Sequence, residues 1–207
     1  MENVLTVLFH VESEGYQAYM EIKKQPIMPQ YTVLQGALVK KSGNTISTID
    51  SFTSGVDSSD DALTGGLIGG LIGILGGPLG ILLGGMTGHL IGSAKDVDDV
   101  DRNNTMLEAV GSKLADGEVA VLLLAQEETD HALDSRFDKF QTTILRRDAA
   151  LVQDEVEEAE RVEKELADEA RRKMHAERSA ERKQKMEAER AKLKANFEAL
   201  KTKFKKS

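Results

Sequence analysis

The sequence predicts an α+β fold that ends in a long C-terminal helix. Apolar and β-branched runs of strand length lie at residues 4–9, 31–41, 44–52 and 118–125, and such runs are typical of buried strands. Helical patterns lie between them, with apolar residues repeating at spacings of three and four. From Glu118 to Ser207 the chain contains neither glycine nor proline, which favours a continuous helix after the last strand.

The first four predicted elements follow from local signals. Residues 4–9 crowd apolar side chains into one strand. Ser13 can cap a short helix that Pro26 ends. The runs 31–41 and 44–52 are joined by Ser-Gly-Asn, whose glycine and asparagine tolerate positive φ. These two runs therefore predict a hairpin.

A helix and a strand complete the predicted domain. One helix face is formed by Met106, Leu107, Val110 and Leu114. Gly117 stands where helices commonly end, and residues 118–125 form a continuous apolar strand. The resulting order, β-α-β-β-α-β, predicts a ferredoxin-like domain over residues 1–126. Two helices would cover one face of its sheet, and the other face would be open to a partner.

A glycine-rich insertion interrupts this domain at residues 62–94. Its 33 residues include no Asp, Glu, Lys or Arg, and 12 of the 18 glycines of the chain lie within it. Residues four apart lie on nearly one face of a helix, so such glycines allow another helix to approach closely. The segment thus predicts a glycine zipper for helix packing and oligomerisation. The glycines assigned to this zipper are Gly65, Gly69, Gly73, Gly77, Gly80, Gly84, Gly88 and Gly92.

Pro78 divides the insertion into two halves of about 15 residues, each a little over 20 Å long as a helix. We therefore expect a helical hairpin that projects from the domain and turns at Gly76, Gly77 and Pro78. A single membrane span would place the strands before and after it on opposite sides of a bilayer. Two alternatives stay open for the hairpin, contact with lipid or with hairpins of other subunits.

No catalytic pattern appears in the sequence. The chain has no cysteine, which excludes disulfides and thiolate chemistry, and its net charge of −8 argues against nucleic acid as a partner. The insertion lacks the G-x-G-x-x-G spacing of dinucleotide sites. Glu128 and His131 form an isolated E-x-x-H pair, best interpreted as a solvated helix start, and His89 has no assigned role. We expect no enzyme activity, cofactor, metal or small-molecule substrate.

The C-terminal region predicts one charged helix over residues 129–207. Its two ends carry apolar residues at spacings of four and three, which resemble coiled-coil seams. These seam residues are Leu133, Phe137, Phe140, Ile144, Leu193, Phe197, Leu200 and Phe204. A helix of this length needs a partner to persist, so we expect self-association.

Charge is unevenly distributed along the chain. Residues 171–207 hold 14 basic and 5 acidic side chains, whereas residues 1–128 hold 7 basic and 17 acidic ones. The basic end therefore suits an acidic surface, either the body of a neighbouring subunit or anionic lipid. The start of the chain lacks the basic region and long apolar core of a secretory signal. We expect a cytoplasmic location, with the inner face of the cell membrane as the alternative.

The glycine block "GGLIGGLIGILGGPLGILLGGMTGHLIG", followed by an acidic turn, a helix and "LADGEVAVLLLAQ", resembles a bacterial family of uncharacterised proteins. Members are often labelled predicted membrane or general-stress-like proteins. The resemblance covers about residues 1–126 and implies no catalytic residues. The long tail departs from the short members of the family.

The combined expectation is a non-enzymatic scaffold that homo-oligomerises through the hairpin and the C-terminal helix. The alternative is a peripheral membrane-associated stress protein, with the hairpin in the bilayer and the basic tail end on anionic lipid.

Overall fold

The computed structural model describes residues 1–56, 66–85, 105–129 and 131–204. Its strands are β1 (Glu2–Phe9), β2 (Ile27–Met28), β3 (Tyr31–Ser42), β4 (Thr45–Thr53), β5 (Val119–Glu127) and β6 (Thr142–Asp148). Its helices are α1 (Glu12–Lys24), α2 (Leu67–Gly76), α3 (Pro78–Gly85), α4 (Met106–Lys113) and α5 (Ala149–Phe204), with a 3-10 turn at Asp134–Arg136. The predicted α+β fold with an antiparallel sheet and a long C-terminal helix is confirmed.

Contacts divide the chain into two units, Met1–Arg161 and Val162–Ser207. The first contains the sheet, helices α1 to α4 and the beginning of α5. In the second, almost every described residue of α5 is exposed.

The sheet runs in the order β2-β3-β5-β1-β6, and β4 also pairs with β3. All of these pairs are antiparallel. The predicted succession of strands and helices occurs along the chain, but the exact ferredoxin-like topology is not confirmed. Strand β5 lies between β1 and β3, and β4 lies outside β3. The composition of β5 explains its central place, because residues 119–125 are apolar and fully buried and so need cover on both faces.

Both faces of this sheet are covered, so the expectation of an open face is wrong. Alternate residues of the central strands enter separate cores. One core joins Val4, Leu8, Ala120, Leu122 and Leu124 to α2, α4 and the start of α5. The other joins Leu5, Val7, Phe9, Val121 and Leu123 to α1 and to residues 133–140. Besides the two predicted helices, the glycine segment covers one face of the sheet and the chain after β5 covers the other.

Helix α4 has the predicted apolar face and is fastened at both ends. Its N-terminus carries a capping box between Thr105 and Glu108. At the other end, the Nζ atom of Lys41 donates hydrogen bonds to the carbonyls of Gly111 and Leu114, at 2.9 and 2.7 Å. Burial lowers the pKa of the Lys41 ammonium, and nearby carboxylates only partly oppose this effect. The helix ends at Lys113, a few residues before the predicted Gly117.

The predicted uninterrupted helix over residues 129–207 is wrong in its first part. Residues 142–148 form β6 at the sheet edge, and α5 begins only at Ala149. Asp148 caps α5 there by accepting hydrogen bonds from the amides of Ala150 and Leu151. The β-branched run Thr142-Thr143-Ile144 favours a strand, and pairing with β1 gives it a partner.

The N-terminal seam residues therefore belong to the globular core. Leu133 and Phe137 are buried there, and Phe140 packs edge-on against Phe9 with ring centroids 5.8 Å apart. Ile144 lies on β6, partly buried against the same core. The distal seam positions fall within α5, but their side chains lie outside the described part of the structure; they are Leu193, Phe197, Leu200 and Phe204.

Candidate functional site

The glycine segment lies on the sheet as two short helices, which we call the glycine layer (residues 66–85). One face of α2 is buried in the core through Leu67, Ile68, Leu71, Ile74 and Leu75. Gly66 precedes α2 with φ of +90°, a conformation that favours glycine. The described part of the segment therefore packs on the sheet, and the expectation that it projects from the domain is wrong there. Its apolar side chains cover Leu34, Ala37 and Val39 of β3.

The helix of the glycine layer is interrupted at Gly76, Gly77 and Pro78, the residues predicted for the hairpin turn. Helix α2 ends at Gly76, Gly77 is extended, and Pro78 opens α3 at the position where proline is tolerated. A Cβ atom on Gly80 would lie 2.0 Å from the carbonyl oxygen of Leu75. Glycine at position 80 thus lets α3 approach the end of α2. The structure shows this two-helix arrangement without confirming a glycine zipper.

Gly70 makes a second close approach. A Cβ atom there would lie 2.9 Å from Cγ1 of Val156, on the first part of α5. Sequence analysis did not include Gly70 among the packing residues. The sequence signal for this contact is the Gly69-Gly70 doublet. Neighbouring residues of a helix point to different sides, so the two glycines cannot both belong to the same packing face.

The other glycine of that doublet points outward. Gly69 and Gly73 are exposed, and a Cβ atom added to either would have no atom of the described residues within 4 Å. They are one helical turn apart, and we call them the outer glycine strip. The strip leaves the backbone of α2 bare on the side opposite to its buried face. A second helix could approach this surface closely.

Some predicted residues cannot be placed against this strip. Gly65, Gly88, Gly92 and His89 lie outside the described residues. Gly84 falls within α3, with its surroundings likewise undescribed. The structure therefore brings together Gly69 and Gly73 on the outer side, and Gly76, Gly77, Pro78 and Gly80 at the turn.

An ionic cluster that sequence analysis did not identify holds the opposite cover of the sheet. Buried Glu127 accepts two hydrogen bonds from the guanidinium of Arg146, both at 3.1 Å, and one from the amide of Leu133 at 3.0 Å. Arg146 also pairs with Asp134. These contacts fix residues 131–141, which we call the ion-pinned segment, against β1, β5 and β6.

The electrostatics of the cluster follow from these bonds. Burial alone would raise the pKa of the Asp134 carboxyl, but hydrogen bonds from Arg146 and His131 outweigh it and hold that pKa below its ordinary value of 3.8. Burial would lower the pKa of Arg146, yet its two carboxylate partners raise it. His131 lies in a turn with φ of +70°, 2.8 Å from Asp134, so the expected helix start at this position is wrong. The cluster has the geometry of a structural fastening.

The described ranges contain neither a metal-binding cluster nor a helix that could span a membrane. Among these residues no group of three or more histidine, aspartate or glutamate side chains could hold a metal ion. Within the same ranges, no helix combines the length and the apolar character needed to cross a membrane.

Comparison with known proteins gives a similarity for the middle part of the chain. None of the curated proteins and none of the solved structures matches the chain. Residues 62–163, which include the glycine layer, α4, β5, β6 and the start of α5, are similar to a family described as "Protein of unknown function (DUF1269)".

Proposed function

We propose that this protein is a non-enzymatic scaffold that self-assembles through the outer glycine strip and the C-terminal helix. The observation that carries the proposal is the bare outer side of α2. Gly69 and Gly73 have open space around them, whereas Gly70 on the same helix is packed. The proposal gives the chain no catalytic role and no cofactor, and keeps the expected cytoplasmic location.

The helical cost of glycine supports a packing role for the strip. Each glycine in an exposed helix interior destabilises the helix by about 1 kcal/mol relative to alanine. Among the described residues no atom lies within 4 Å of a Cβ atom added to Gly69 or Gly73, so the contacts of this part of the chain give no reason for glycine at either position. Close approach of a helix from a second subunit would supply one. In this proposal the strip is the exposed part of a glycine zipper.

The alternative is a peripheral membrane protein that inserts the glycine segment into the bilayer. The basic residues at 171–207 favour contact with anionic lipid. Insertion of α2, however, would remove Leu71 and Ile74 from the core and expose the apolar sheet residues beneath them. We therefore rank assembly above membrane insertion.

Sedimentation velocity on the full chain tests the proposal. The wild type should form oligomers whose population rises with concentration. The variant Gly69→Gln/Gly73→Gln fills the strip with polar bulk and should form smaller oligomers than the wild type, because only the contact through the C-terminal helix is left. Ala115→Gln, at an exposed position after α4, adds the same side chain outside both proposed contacts and should assemble like the wild type.

A flotation experiment with anionic liposomes accompanies this measurement. A wild type that stays monomeric in solution but floats with the vesicles would overturn the assembly proposal and support the alternative. An oligomer distribution in Gly69→Gln/Gly73→Gln identical to that of the wild type would exclude the strip from the interface.

A further inference from the structure

Charge is segregated along α5. Residues 149–170 carry nine acidic and two basic side chains, whereas residues 171–204 carry twelve basic and five acidic ones. The first part therefore has a net charge of −7 and the second a net charge of +7. The sign reverses between Ala170 and Arg171.

Stabilisation of a single helix does not account for this distribution. Favourable pairs within a helix need opposite charges three or four residues apart. In the described part of α5 such ion pairs include Arg161 with Glu158, Arg171 with Asp168, and Lys173 with Glu169. Two of these three lie at the charge reversal, where the segments meet. The helix dipole acts only within the first and last turns, so it does not explain segments of more than 20 residues.

The two segments are also too long to neutralise each other along the same helix. Each extends for about 30–50 Å at 1.5 Å per residue, and the Debye length at physiological ionic strength is about 8 Å. Direct pairing of most of these charges with protein groups of opposite sign therefore requires another charged surface beside the helix. The described residues from 171 to 192 are all exposed, so this part of the basic segment is accessible to a partner.

We propose that α5 pairs with α5 of a second copy in antiparallel orientation. This orientation places the acidic segment of each helix beside the basic segment of its partner. Parallel pairing would instead place like charges side by side along the whole length, which is destabilising. The inference rests on the proposed self-assembly and adds to it the orientation of one contact. Exposed Leu166 and Met174, which flank the charge reversal, would supply apolar contacts near the centre of the pair.

Spin-label distances distinguish the orientations, because the chain has no cysteine and one introduced thiol is unique. Met174 and Met186 are 51% and 52% exposed, so Met174→Cys and Met186→Cys give matched label sites. The centre of an antiparallel pair should lie near residues 170–177, between the charge reversal and the middle of α5. Two labels at position 174 would then be within about 12 Å along the axis, and two labels at position 186 about 27–48 Å apart.

Double electron–electron resonance on the full-length labelled proteins provides the test. The proposal predicts a short distance at 174 and a long one at 186, both lost on dilution with excess unlabelled protein. Short distances at both sites would indicate parallel pairing and overturn the inference while leaving self-assembly intact. If the protein forms oligomers in sedimentation but shows no distance between labels at position 174 or at position 186, an α5 pair is excluded. This result would be expected if the basic segment instead docks on the body of a neighbouring subunit. A monomer under all conditions would overturn the proposed function itself.

Discussion

The two covers of the sheet are held in different ways. The glycine layer lies on one face through buried aliphatic side chains, among them Leu71 and Ile74. The ion-pinned segment lies on the other face with two buried core residues, Leu133 and Phe137, and an ionic cluster around Arg146. In the described part of the two covers, the strip of bare helix backbone lies on the glycine layer.

Because of this difference, we expect changes in the two covers to affect different properties of the protein. Hydrophobic burial depends little on pH, whereas an ion cluster responds to protonation of its carboxylates. The ion-pinned segment should therefore be the cover that is sensitive to acid. The glycine layer should tolerate acid but respond to any side chain added on its outer side.

The largest effect should come from breaking the ionic cluster. Arg146→Met leaves the carboxylate of Glu127 buried with only neutral hydrogen-bond donors, so the free energy of unfolding should fall by about 3–5 kcal/mol. Urea denaturation measures the loss. Glu127→Leu/Arg146→Met removes both charges and should recover most of the stability. If Arg146→Met alone is as stable as the wild type, the ionic cluster does not hold the ion-pinned segment on the sheet.

Truncation of the buried face of α2 should follow closely. Leu71 is fully buried, and Leu71→Ala should lower the free energy of unfolding by about 2–5 kcal/mol through lost burial and a cavity. Ile81→Ala, at a more exposed position of α3, serves as the control and should change stability by less than about 1 kcal/mol. A small effect at Leu71 would indicate that the glycine layer is not anchored on the sheet.

A smaller loss is expected at the turn of the glycine layer. In Gly80→Ala the new methyl group meets the carbonyl of Leu75, and relief of this overlap should cost about 1–3 kcal/mol. The contrast is Gly73→Ala, where the space is open and the helix should become more stable. Chemical denaturation of both variants compares the tight and the open side of the same layer, and equal effects would contradict the assignment of these sides.

Acid should weaken the ion-pinned segment. The pKa of Asp134 is lower in the folded protein than its ordinary value of 3.8, so below this value the unfolded chain binds more protons than the folded one. The contribution of Asp134 is complete above about pH 5 and is lost as pH falls through its folded pKa. In Asp134→Asn, the free energy of unfolding should depend less steeply on pH between about 5 and 2. Identical slopes for the variant and the wild type would exclude this role for Asp134.

Sequence analysis predicted the elements whose patterns are local. The strand at residues 118–125, the amphipathic helix near Met106 and the helix break at Pro78 each depend on a few neighbouring residues, and all are present. The prediction that failed in the C-terminal region depended on an absence. Residues 129–148 contain no glycine or proline, but this permits a helix without requiring one, and pairing with β1 favoured a strand.

The inner and outer sides of the glycine layer were beyond the reach of spacing alone. A period of four places Gly69 and Gly73 on one side of a helix, but it does not indicate which side meets the sheet. That choice depends on the larger residues between them, and Leu67, Leu71 and Ile74 turn one face of α2 inward. The cluster around Arg146 likewise joins residues from three parts of the chain, so no local pattern marks it.

The double variant Gly69→Ala/Gly73→Ala tests the central claim most directly. Two alanines in open helical positions should raise the free energy of unfolding of the subunit by about 1–2 kcal/mol. The same methyl groups should separate helices that pack on the strip and raise the dissociation constant of the assembly. Denaturation and sedimentation equilibrium on one preparation should therefore change in opposite directions. A subunit that becomes more stable while its dissociation constant stays the same or falls would contradict the account.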